Sequence, residues 1–194
     1  MKMVSKNKKK IMLYLLRNLE LININQLSKR LDISVGSAFK ILKELEKDNI
    51  LLPIKLGNSV FYKINLENNE AIKFCELLLI EERRGLKGYP KIYAEEIKDF
   101  ENAELIMLFG SILKNKEFND VDVLFVTNNI KGASNFCLNL SRIRAKPIIP
   151  LILKKENLIR EIKNKKEILL NLLKTGVVLK GESVFLEVIK NVKS

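Results

Sequence analysis

Apolar residues in the first third of the chain recur every three or four positions, then switch to alternation. Ile11, Met12, Leu15, Leu16 and Leu19 lie on one face of a helix predicted from about Lys6 to Asn18. Asn23 followed by Gln26 forms a capping-box signature for a second, short helix carrying Ile24, Leu27 and Leu31. The chain turns at Asp32-Ile33, and Ser34 is the natural N-cap of a third helix. On that helix Val35, Ala38, Leu42 and Leu45 read as the buried stripe, with Ile41 beside them. Gly36, Ser37, Lys40, Lys43 and Lys47 fall opposite. Two short β-like runs, Leu51–Leu56 and Ser59–Ile64, flank a Gly57-Asn58 hairpin signal.

The helical period returns from Asn68 to Arg83, where Ala71, Phe74, Cys75 and Leu78 form a stripe widened by Leu77, Leu79 and Ile80. A stripe this wide suits packing from two sides, by the chain itself and by a second copy. Arg84 to Pro90, with two glycines and a proline, reads as a linker. Beyond it, helical and strand patterns alternate. A helix starts at Pro90, carrying Ile92, Tyr93, Ile97 and Phe100, and Glu104 to Phe109 is a strand. Helices are expected from Gly132 to Ile143, from Glu156 to Lys174 with Gly176 as its cap, and from Glu182 to Val192. Lys146 to Leu153 is an apolar strand that Pro147 and Pro150 confine to a sheet edge, and Val177 to Lys180 is a short strand. These patterns imply an α+β fold with domains at residues 1–66 and 89–194, joined by a connector at 67–88.

Charge sharpens this division. The net charge is +12. Residues 1–65 hold 13 Lys and Arg against 5 Asp and Glu, a net of +8, and the remainder hold 22 against 18. An anionic partner, nucleic acid first among them, therefore belongs to the N-terminal part. The chain has two cysteines, Cys75 and Cys137, both in apolar helical patterns, and no histidine. That excludes a disulfide framework, a Cys/His zinc site and histidine-based catalysis. No apolar run reaches membrane-spanning length, and the six apolar residues before Arg17 are too few for a signal peptide, so a cytoplasmic location is expected.

The order helix, helix, turn, helix, hairpin over residues 6–65 resembles the winged helix-turn-helix of MarR- and ArsR-like transcription regulators. INQLSKRLDISVGSAFKILKELEKDNIL is similar to them over its whole length. The resemblance implies double-stranded DNA as partner and a homodimer acting on paired half-sites, with the connector helix as its dimer contact. Ser34, Gly36, Ser37, Lys40 and Lys43 would meet the major groove. Lys55 and Lys63 on the wing, with Lys8 to Lys10, would meet phosphates. Arginine is nearly absent from this face, so the affinity would be driven by phosphates and weakened by salt.

A second chemistry is concentrated in Leu105–Thr127. A strand, a Gly110-Ser111 turn and a second strand place Asp120 and Asp122 two residues apart, hence on one face. Paired carboxylates beside such a turn suit Mg²⁺ carrying substrate phosphates. Residues 89–186 resemble minimal nucleotidyltransferases of the kanamycin-nucleotidyltransferase and polymerase-beta superfamily, of archaeal type. The resemblance implies Asp120 and Asp122 as metal-holding catalytic residues, and Gly110, Ser111 and Lys114 as phosphate-binding ones, with Mg²⁺ and a nucleoside triphosphate. The family's third carboxylate has no counterpart, because no Asp or Glu occurs from Val123 to Lys155. The expectation is thus a DNA-binding regulator with a catalytically weakened, ligand- or partner-sensing domain. The alternative is an Mg²⁺-dependent transferase of a nucleotidyl group to a hydroxyl, in a toxin–antitoxin pair among other settings.

Overall fold

A computed structural model of the chain describes residues 4–114 and 117–193. Residues 115 and 116 of the Leu105–Thr127 stretch lie outside the described residues. The fold is α+β, and the described residues fall into two compact units, those from 4 to 78 with Lys193 and those from 79 onward through 192.

In the first unit, α1 (Lys6–Arg17), α2 (Ile24–Leu31) and α3 (Val35–Lys47) precede the hairpin of β1 (Leu51–Leu56) and β2 (Ser59–Ile64). Ile11, Met12, Leu16, Leu27, Ala38, Leu42 and Leu45 are buried among the helices. Both strands of the Asn23–Gln26 capping box form, at 3.0 and 3.2 Å. Asp32 leaves α2 at φ +53, and the turn is held by Ser28 Oγ donating to Ile33 O at 3.0 Å. Ser34 caps α3 by accepting from Ser37 N at 3.2 Å. At the other end Asn49 takes φ +55, with Ile50 N donating to Leu45 O and Asn49 N to Glu46 O. This is a Schellman ending, and it turns the buried Ile50 into the hairpin. Gly57 alone of the two turn residues has positive φ, +56, as a II′ hairpin turn requires.

Residues 69–84 form α4, and the division between the units falls within it, between Leu78 and Leu79. Cys75 and Cys137 are buried, and burial pushes their thiols up to about 12 and about 11 respectively. Such thiols are inert core residues.

The second unit is built on a four-stranded mixed sheet in the order β5-β4-β3-β6. Strands β3 (Leu105–Phe109) and β4 (Val121–Val126) are antiparallel, β5 (Ile148–Leu153) lies parallel to β4 on one edge, and β6 (Val177–Lys180) lies antiparallel to β3 on the other. Buried on both faces, β3 is apolar at every position and β4 at all but Asp122. One face carries Ile106, Leu108, Val121, Val123 and Phe125 into a core with Tyr93, Ile97, Phe100, Ala133 and Cys137. Those partners come from α5 (Gly88–Ile97), the turn after it and α6 (Ile130–Ile143). Arg83 ties the end of α4 to this unit, donating to Glu182 at 2.6 Å.

Three expectations need correction. Pro90 is the third residue of α5, which begins at Gly88. The long helix from Glu156 to Lys174 is two helices, α7 (Lys155–Lys163) and α8 (Glu167–Thr175). The break falls in the polar run Asn164-Lys165-Lys166, where Lys165 takes φ +58 and no apolar residue anchors a continuous turn. Val35, assigned to the buried stripe of α3, is 50% exposed. The last helix, α9, runs from Glu182 to Lys193.

Candidate functional site: a helix surface and a carboxylate pair

The first candidate surface is the outward face of α3 with the adjoining hairpin. Ala38, Leu42 and Leu45 are enough to bury one side of the helix, so its first turns stand free. Gly36 and Lys40 are exposed, and Ser37 is half-buried. Lys43 is exposed but engaged: it pairs with Glu46 at 2.8 Å, and Glu46 also accepts from Tyr62 Oη at 3.2 Å. Lys47 and Lys40 have no ion-pair partner among the described residues.

On the hairpin, Lys55 pairs in register with Val60 and Lys63 with Leu52. Side chains alternate between faces, so these two lysines stand on opposite faces of the wing. Lys55 shares the face of Tyr62, toward α3, and its charge reaches Glu46. Lys55 and Lys63, both expected to meet phosphates, therefore do so from different faces of the wing if both contact DNA. Lys8, also expected near phosphates, is engaged within the protein. Its ammonium pairs with Glu44 at 3.0 Å and lies 6.0 Å from the ring of Phe74, and its side chain is only 17% exposed.

Two apolar residues stand exposed on this surface, Val35, expected in the core, and Phe39, for which no role was expected. Phe39 is 50% exposed, one turn after Val35. With Ile24, Gly36, Asn58 and Val60 they line an open groove of about 480 Å³ between α2, α3 and the wing tip. The signal was present: Phe39 follows Val35 at i+4, so the two share a row. Burying that row as well as Ala38, Leu42 and Leu45 would need a much wider covering surface.

The second candidate lies where β3 ends and β4 begins. Phe109 is opposite Asp122 in the antiparallel register, so Gly110 emerges beside the Asp122 carboxylate. Gly110 has φ +85, and a Cβ there would lie 2.0 Å from Asp122 Oδ2. Glycine is required both by the backbone angle and by the close approach. Ser111–Leu113 form a single 3-10 turn, with Lys114 exposed just beyond. A turn this short supplies little of the helix-terminus field expected for holding an anion.

Asp122 and Asp120 are both half-buried, and neither has a hydrogen-bond or ion-pair partner among the described residues. The Asp122 carboxyl is held above the usual carboxylate range, first by burial and then by the charge of Asp120. The charge of Asp120 is thus within electrostatic reach of the Asp122 carboxyl. No third Asp, Glu, Cys or His joins them among the described residues. Two acids that flank the sheet strands, Glu104 and Glu156, lie at the far end of the sheet. Glu104 precedes β3 and its backbone N–H bonds Val126 O, while Glu156 follows β5, whose Leu153 aligns with Val126. Val126 is four residues along β4 from Asp122, about 13 Å at strand rise. Glu104 instead approaches Lys155, at 3.9 Å.

Comparison with known proteins bears on the N-terminal part of the chain alone. A family model described as winged helix-turn-helix DNA-binding matches residues 4–51. No curated protein and no solved structure matches the chain. Residues 4–51 take in α1, α2 and α3 and the first residue of β1. The N-terminal unit is thus a winged helix-turn-helix, followed by a helix-flanked mixed sheet. Among the described residues no helix is long and apolar enough to cross a membrane.

Proposed function

We propose that the chain is a DNA-binding transcriptional regulator whose N-terminal unit contacts duplex DNA through α3 and the wing. The observation that carries this reading is the presentation of α3. Its N-terminal turns are free, small at Gly36 and Ser37 and cationic at Lys40, beside a hairpin bearing Lys55. Major-groove readers need this: a helix whose first turns can approach base edges, with phosphate contacts beside it to fix its register. The +8 of residues 1–65 supplies the long-range attraction. Fluorescence anisotropy of labelled duplexes, titrated with the full chain over a range of salt, tests it. Binding that weakens as salt rises supports the reading; no binding at low salt refutes it.

The regulator acts as a homodimer in this proposal. Ile72, Phe74, Leu77 and Ile80 on α4 stay half-exposed, which leaves apolar surface for a second copy. Sedimentation equilibrium gives the mass directly, and a monomer across the micromolar range would end this part.

A second role concerns the sheet unit. Asp122 and Asp120, half-buried without a cationic partner among the described residues, favour binding of a nucleoside triphosphate with Mg²⁺. Mg²⁺ is commonly held by one or two carboxylates plus substrate phosphates, and this donor pair fits that mode. Bound there, the ion would neutralise phosphate charge. Asp120 and Asp122 would hold it, Gly110 would let the Asp122 carboxylate lie against the turn, and Lys114 would add a positive charge. With no third acid beside them, the pair is better suited to sensing a nucleotide than to activating an acceptor hydroxyl. Calorimetric titration with each of the four triphosphates and Mg²⁺, on wild type and on Asp120→Ala/Asp122→Ala, tests this role. Heat lost in the double variant is expected; no heat in wild type removes it.

A further inference from the structure

The exposed face of α3 carries too few hydrogen-bonding side chains to read bases in the usual way. The helix VGSAFKILKELEK contains no Arg, Asn or Gln. Ser34 Oγ is already used as the cap acceptor for Ser37 N, and the Lys43 ammonium is paired with Glu46. What the N-terminal turns present instead is apolar. Val35, the first residue of the helix, and Phe39, one turn on, are each half exposed, and between their row and Lys40 there is only Gly36, which has no Cβ. A Cβ built on Gly36 would meet nothing within 4 Å, so packing within the protein does not explain the glycine. It leaves the surface open for close approach. Val60 of the wing and Ile24 of α2 extend the apolar wall of the same groove.

Among the groups that line the major groove of DNA, one is apolar: the 5-methyl of thymine. The other base edges offer donors and acceptors, which a valine and a phenylalanine would strip of water without replacing their hydrogen bonds. On the DNA-binding reading above, on which this rests, we infer that Val35 and Phe39 are specificity-determining residues that select thymine by packing against its methyl group. The partner is T-rich duplex DNA. Lys40 on the same helix and Lys55 on the wing, both exposed, hold phosphates beside it. Because Val35 and Phe39 are one turn apart, they address neighbouring base steps, so adjacent thymines are favoured.

The test begins with the full chain and a random duplex library. Bound duplexes are enriched, and the consensus is then resynthesised with deoxyuridine replacing thymidine one position at a time, which removes only the methyl. Two adjacent positions are expected to lose about fourfold in affinity per methyl, the weight of one buried methyl-sized group. In Val35→Ala and Phe39→Ala the penalty for uracil should vanish at one position each, while the dependence on salt stays as in wild type. Both side chains are half exposed, so both variants should fold; circular dichroism checks this, and Phe39→Leu should keep part of the uracil penalty. Enrichment of duplexes without thymine pairs, or equal binding of uracil-substituted duplexes, overturns the inference while leaving salt-dependent DNA binding in place. Salt-dependent binding without any enriched sequence overturns it too. Absence of all salt-dependent binding removes the DNA-binding reading itself.

Discussion

The two candidate surfaces of this chain are opposites. On α3 the functional groups stand in water, at no cost to the fold: Lys40 is solvated, Gly36 has open space above it, and the helix is held by its other side. At the start of β4 the functional groups are forced on one another. The Asp122 carboxyl is half-buried, lies against Gly110 and feels the charge of Asp120. A solvated cationic helix suits a large, water-covered polyanion that can be approached at many registers. A half-desolvated carboxylate pair suits a compact counter-charge bound at one place. On the proposed reading each surface meets a different class of partner, and substitutions should separate them.

The largest expected effect is on the sheet unit. Gly110→Ala sets a side chain at φ +85 and drives its Cβ into the Asp122 carboxylate. It should cost about 2–4 kcal/mol, seen as a fall in the urea midpoint. The matching change on the helix, Gly36→Ala, meets nothing and replaces a poor helix former, so it should stabilise by about 0.5–1 kcal/mol. Its added methyl should nevertheless weaken DNA binding. Stability and affinity moving in opposite directions at Gly36 would sharpen the contrast; parallel losses at both glycines would break it.

Lys40→Ala should weaken DNA binding about three- to tenfold near physiological salt and make the salt slope shallower by about one phosphate contact. Lys63→Ala, on the opposite face of the wing from Lys55, should do less. Equal effects at the two lysines would mean that both wing faces meet DNA.

The smallest effect concerns Asp122 and pH. Its folded-state carboxyl is held above the ordinary value, so over that interval the folded state binds more protons than the unfolded one. Stability contributed by this group is therefore present at low pH and declines as pH rises through the shifted range. Asp122→Asn should remove this decline and stabilise the protein at pH 7, while making little difference below pH 3. Thermal melts at the two pH values measure it. Loss of stability at pH 7 in the variant would show that the carboxylate has a stabilising partner.

Most elements were legible because their buried faces are strictly periodic. The hairpin at 51–64, the apolar strands 105–109 and 121–126, and the capped starts at Asn23 and Ser34 all follow from local chemistry. Legibility failed where three-dimensional supply mattered. Val35 fits the α3 stripe by spacing, but Ala38, Leu42 and Leu45 already use the available core, which leaves it exposed. The interruption at Lys165 is polar within a long helical pattern, and only the left-handed residue reveals it. The pairing of Lys8 with Glu44 on a different helix has no signature in the local sequence. Asp122 follows from the strand pattern, whereas Asp120, expected on the same strand, lies just before β4, which starts at Val121. The contact of Asp122 with Gly110 required the strand register, as did the remoteness of Glu104 and Glu156.

The most direct measurement is the salt dependence of duplex DNA binding by the full chain, wild type against Lys40→Ala. Lys40, Lys47 and Lys55 are exposed on or beside α3. Three such contacts predict a slope of log affinity against log salt near about −3, reduced to about −2 in the variant. A slope near zero, or one that Lys40→Ala leaves untouched, would contradict the assignment of α3 and its wing as the DNA-binding surface.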